Sequence, residues 1–176
     1  MIHQQTILTK SQRQDCIAKI KQFPADLLRL VNTLSADQLS LPCLPEHPTL
    51  DGDWNIAQTI HHLADSHIHA YTRMKLILTE DKPHLKTWDQ EAWAQLADVS
   101  QIDVTASVLI MRGLHDRWAN LLEQLEASDF ARVGIHSEMG ELTIDHFVET
   151  YARHGHGHIR QIENALRAHA AQAVTP

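Results

Sequence analysis

Apolar residues recur at every third or fourth position along four separate stretches, each 20 or more residues long. That period belongs to amphipathic helices and constrains the fold more than any other feature of the chain. The first stretch runs from about Thr9 to Leu34, with Ile17, Ile20, Leu27, Leu30 and Leu34 on its stripe. Pro24 inside it predicts a kink or a break and restart, because proline has no N–H to give. The second is expected to start at Asp53 as N-cap and to reach about Thr79, with Ile56, Ile60, Leu63, Ala70, Met74 and Ile77 in line. The third spans about Val104 to Leu125 behind Asp103 as cap. The fourth starts from Thr143 as cap and continues to about Ala171. Its stripe is Ile144, Val148, Tyr151, Gly155, His158, Ile162 and Leu166.

Four such helices bury their stripes most simply against one another, so the chain is expected to be all-α, one four-helix-bundle domain over residues 1–176. Short extra helices are expected in the connections. Ser35-Ala-Asp-Gln38 resembles a capping box, and Asp89–Leu96 reads as a second short piece. Residues 130–142 read as an irregular or hairpin connection turning at Met139-Gly140. Between Leu41 and Asp53 lies an irregular segment with three of the six prolines. The connections are long, so spacing leaves the order of the helices open.

The formal charge of −7, from 22 acids against 15 lysines and arginines, shows neither the basic excess nor the basic face of a nucleic-acid binder. No window approaches the ~18 apolar residues of a membrane span, and no apolar signal-type segment stands near Met1. Two cysteines make no disulfide framework. The class is therefore a soluble cytoplasmic protein. Its compositional anomaly is fourteen histidines, clustered at His61, His62, His67 and His69 and again at His154, His156 and His158.

On the fourth helix His158 falls in the middle of the apolar stripe and His154 one turn before it, with Cβ atoms roughly 5–6 Å apart. His156 points away and is expected at the surface. Two imidazoles one turn apart on an inward face can converge on one transition-metal ion. Against this stands the plainer reading of two core histidines. Gly155 on the same stripe leaves space beside the rings for a ligand or a close helix. Gly157 has no such explanation. A third ligand is expected from the second helix. Periodicity favours His67 there, while a polar cleft at the bundle side favours His62, and spacing does not choose. Asp65, one turn from His61 and His62, is the candidate to orient a ring from behind.

The stretch HHLADSHIHAYTRMKLILTE is followed by Trp88, Asp89, Glu91, Trp93 and Leu96, and later by YARHGHGHIRQI. With the kinking Pro24, the D-G-D-W entry at Asp51–Trp54, and Leu114, His115, Arg117 and Trp118, it resembles the DinB-like metalloprotein superfamily. Within that superfamily it is similar to the YfiT-type group of metal-dependent hydrolases, from about Ser11 to Arg167. The resemblance implies an up-down-down-up bundle and a homodimer. It also implies one nickel or zinc ion per chain on three histidines, carried over as His62, His154 and His158. The glycines between the last two are a local departure from the family pattern.

A three-histidine site leaves positions open for water or substrate, as catalytic metal sites do. The reaction implied is metal-dependent hydrolysis of a small molecule, with metal-bound water as reactant and no catalytic side chain identified. The alternatives are metal-dependent transfer of a low-molecular-weight thiol to an electrophile, and a non-catalytic metal-binding or interaction bundle. The sequence lacks the glutamate that serves as base in H-E-x-x-H enzymes, and nothing between His154 and His158 replaces it. Trp54 reads as a core anchor, Arg73 and Arg160 as solvated, Cys16 as core packing, and Cys43 as unreactive.

Overall fold

The computed structural model describes residues 7–43 and 54–173. Six α-helices lie within them: α1 (Lys10–Val31), α2 (Ala36–Leu39), α3 (Ile56–Thr79), α4 (Gln90–Ala94), α5 (Thr105–Glu123) and α6 (Ile144–Ala173). Most begin where a side chain takes over an orphan backbone N–H. Thr9 with Gln12, Ser35 with Gln38 and Asn55 with Gln58 form reciprocal capping boxes at α1, α2 and α3. Asp89 accepts from the Ala92 N–H, and Thr143 Oγ1 from the His146 N–H at 3.1 Å. Asp103 Oδ1 serves the Thr105 N–H at 2.9 Å, although Val104 holds the formal cap position of α5. The cap expected at Asp53 lies outside the described residues. Asn55 does that work, because α3 starts two residues later than the sequence suggested. Pro24 does not break α1, which runs through it for 22 residues.

Cross-helix pairs give the directions. Arg13 of α1 lies over the Phe130 ring just past the end of α5, at 4.6 Å, while the Ile20 carbonyl meets His115, so α1 and α5 are antiparallel. Arg13 also binds Asp145 at 2.7 Å, and Asp26 meets His156 at 3.2 Å, which makes α1 and α6 parallel. His61 with Ser107, His67 with His115 and Met74 with Trp118 make α3 and α5 parallel. Ser66 with Tyr151 and His62 beside His158 make α3 and α6 antiparallel. The bundle is up-down-down-up, as the family resemblance implied.

The connection from α5 into α6 is a hairpin. Strands β2 (Val133–His136) and β3 (Gly140–Thr143) pair antiparallel, with Gly140 at φ +75° opposite His136, a backbone state that glycine adopts freely. Unforeseen is β1 (His84–Leu85), which adds a parallel edge to β2. Arg132 then donates to the Ile77 and Glu80 carbonyls, tying the hairpin to the end of α3.

The core has two clusters. One gathers Ile20, Met74, Ile77, Trp118 and Ile144; the other gathers Phe23, Leu27, Ile60, Leu63, Met111 and Ile162. Each such side chain contributes about 1.5–3 kcal/mol on burial. His67 lies at their seam, against Phe23 of one and Trp118 of the other. Among the described residues no helix is long and apolar enough to cross a membrane.

Candidate metal centre

His62 on α3 and His154 and His158 on α6 face one another across the antiparallel pair, with one ring nitrogen of each within 4.8 Å of the others. His62 and His158 are buried and His154 half-buried. The Nε2 atoms of His154 and His158 are 3.3 Å apart. Two nitrogens on one tetrahedral ion at 2.0–2.1 Å would stand about 3.3 Å apart.

The far side of each α6 ring is held. His158 Nδ1 lies 2.7 Å from Gln161 Oε1. The Gln161 amide nitrogen donates to the Cys43 carbonyl at 3.4 Å, which identifies Oε1 as the acceptor facing His158. His158 Nδ1 therefore carries a proton, and its Nε2 is the nitrogen turned towards His154. His154 Nδ1 lies 3.1 Å from His67 Nε2. On α3 the His62 ring packs between Trp54, at 4.8 Å between centroids, and Trp88, stacked at 5.7 Å and 17°. His62 Nδ1 is buried with no hydrogen-bond partner among the described residues. Burial, and then the neighbouring His158, lowers the His62 pKa to about 3. Burial, then His158 and His62, also lowers that of His154. Two rings kept neutral, three ring nitrogens brought together and an orphaned buried nitrogen are what a cationic occupant would satisfy. The residues present therefore fit a divalent transition metal.

His67, which periodicity favoured, is fully buried as its stripe requires, but it stands behind His154 and outside the trio. His61 is spent on Ser107 Oγ at 2.8 Å and the Gln101 carbonyl at 3.0 Å. Asp65 bonds neither His61 nor His62, so it does not orient a ring. Its carboxyl is pushed up to about 6 by burial and by Asp98. Gly155 serves a close helix: a Cβ there would come within 2.5 Å of the Phe23 ring of α1. Nothing in the structure explains Gly157. His156 is half-buried on Asp26 rather than exposed.

Trp54 is an anchor as expected, buried, with its indole N–H on Glu91 at 3.2 Å. Arg160 is exposed. Arg73 is not simply solvated: its guanidinium donates to the Lys86 carbonyl, at 2.6 Å from one nitrogen. Cys43 is buried and Cys16 packs half-buried on the core. Two residues that sequence reasoning did not assign to the site are Gln161 and His115. The one available signal was His115 falling on the α5 stripe with Val108, Met111 and Trp118.

A helical bundle with an interior three-histidine cluster between the antiparallel helices α3 and α6 defines the structural class. The sequence profile of the DinB superfamily matches residues 19–162, and the chain belongs to that family. It is similar to "Putative metal-dependent hydrolase YfiT" of Bacillus subtilis (strain 168), 34% identical over 161 residues, 91% of this chain and 87% of that protein. A Bacillus cereus (strain 03BB102) protein, "Putative metal-dependent hydrolase", is 35% identical over 155 residues, covering 88% and 86%. The solved structure of Bacillus subtilis YfiT superposes with a TM-score of 0.87 at 32% identity, over 95% of this chain and 93% of that one. It is described as having an unusual four-helix bundle topology.

Proposed function

We propose that this chain is a metal-dependent hydrolase of a small molecule, with one nickel or zinc ion per chain on His62, His154 and His158, in a homodimer. The observation that carries this reading is the convergence of three imidazoles, each offering a ring nitrogen within 4.8 Å of the others. The relatives named as metal-dependent hydrolases support it. A metal there would supply Lewis acidity and bring the pKa of water to about 7.

The rest is done by the chain. Gln161 and His67 hold the two α6 rings by their Nδ1 sides. Trp54 and Trp88 fix the plane of His62 and cover it.

The sequence between His154 and His158 carries no glutamate of the H-E-x-x-H kind, and this favours a second reading, transfer of a low-molecular-weight thiol to an electrophile. One experiment separates them: elemental analysis of protein purified without chelator, then turnover of ester, amide, epoxide and halide substrates with and without a small thiol. Close to one nickel or zinc per chain and thiol-independent ester or amide turnover, lost on chelation, is the expected result. Turnover only with thiol moves the assignment to transfer. Metal without any turnover leaves a binding bundle.

A further inference from the structure

In an unbroken α-helix the N–H of residue 24 would bond to the carbonyl of residue 20. Pro24 has no N–H, so the Ile20 carbonyl, on a fully buried residue, needs another donor. It has one: His115 Nδ1 of α5, at 2.6 Å. A carbonyl only accepts, so that nitrogen must carry the proton.

The consequence travels through three rings. Burial lowers the His115 pKa to about 4, so the ring is neutral and its Nε2 can only accept. His67 Nδ1 lies 2.8 Å from that Nε2 and therefore donates. His67 is fully buried and both its nitrogens meet other rings with no carboxylate to balance a charge, so the ring is neutral and its own Nε2 is an acceptor. His154 Nδ1, 3.1 Å away, must then carry its proton. The His154 lone pair is left on Nε2, the atom that faces His158. The order cannot reverse, because the chain starts at a carbonyl. Phe23 lies over both inner rings, 5.4 Å from each centroid, in the space that Gly155 leaves open.

We propose that Pro24, through the carbonyl it leaves unbonded, and His115 and His67 act as positioning residues that fix which nitrogen of His154 is offered to the metal centre. The inference rests on the reading of His154 as a ligand. An unsupported imidazole exchanges between two tautomers, of which one presents N–H and cannot ligate. The relay removes that tautomer before any metal arrives, which lowers the cost of binding.

The test is ring-nitrogen NMR on the full chain, stripped with chelator, at neutral pH. His115, His67 and His154 should each show a protonated Nδ1 and an unprotonated Nε2. Any one of the three protonated at Nε2 overturns the relay, and this spectrum needs no variant. In H115F the His154 signals should move towards the other tautomer, and zinc affinity should fall about 10–100-fold. H115Q, which keeps a donor and an acceptor, should recover most of that loss. A merely structural role would lower the melting temperature while leaving the His154 nitrogens where they were, and that result overturns the proposal. If H115F does not fold, the wild-type spectrum and H115Q decide. Native tautomers with no zinc uptake would support the relay and overturn the metal reading. Zinc uptake with Nε2 protonated on stripped His154 would do the reverse.

Discussion

His67 and His115 on one side, and His62, His154 and His158 on the other, are two histidine groups in one molecule that share burial but not bonding. His62 and His115 are held at about 3 and about 4, and His67 and His154 are also pushed down, so a depressed pKa marks both groups alike. The difference lies in where the ring nitrogens end. His67 bonds through both nitrogens to other rings, and His115 to a ring and a carbonyl. In the trio one nitrogen of each ring turns towards the others. A perturbed histidine is therefore weak evidence of function by itself. Accounting for each nitrogen separates a ligand from its support.

The sharpest way to break that comparison is to truncate one ring from each group. His62→Ala should reduce metal content from about one per chain to near zero, with a modest change in the stability of stripped protein. His67→Ala should retain metal, more weakly held, and cost the stripped protein about 2–4 kcal/mol. It leaves a cavity and takes the partners from His115 Nε2 and His154 Nδ1. Elemental analysis and urea unfolding with and without chelator read both, since metal adds its own stabilisation. Metal lost in His67→Ala and kept in His62→Ala would show that the groups had been exchanged.

A smaller effect should appear with pH and should not distinguish the groups. His115 is lowered from 6.5 to about 4, and His62 from 6.5 to about 3. The unfolded chain therefore binds the extra protons, and their contribution is complete above about pH 6.5 and lost as pH falls towards those values. The urea midpoint of stripped protein should rise from pH 4.5 to 7 and then level. A midpoint highest below pH 6 would contradict neutral burial.

The glycines give the smallest shifts, of opposite sign. Gly155→Ala drives a methyl into Phe23, over the inner pair, and should destabilise by about 1–3 kcal/mol. Gly157→Ala meets only the Arg160 tip at 3.9 Å, and should stabilise by about 0.5–1 kcal/mol through helix propensity. Equal melting temperatures for the two variants would mean that Phe23 yields at no cost.

Local signals carried most of the helix boundaries. Thr9, Ser35, Asp89 and Thr143 all act as caps, because capping is decided within three residues. His158 and Gly155 were legible as buried from a 3.6-residue period alone. What a period cannot show is which nitrogen meets which partner across the bundle. It placed His67 correctly in the interior and could not say that His67 backs His154 rather than joining it. The link from Pro24 to His115 was also hidden, since a carbonyl left unbonded on α1 is answered by a side chain 95 residues away. The β1 edge is two residues long and has no periodicity to read.

The up-down-down-up order has a kinetic consequence. The helices that face each other around the trio are remote in sequence: the His67–His154 contact closes 87 residues of chain. Contacts of such separation form late, after the entropy of closing the loop has been overcome. A nascent chain lengthening from its N-terminus would display His62 while α6, with both other imidazoles, was still to be synthesised. The pocket would then come into being with the last helix, so metal capture would report completed folding rather than guide it.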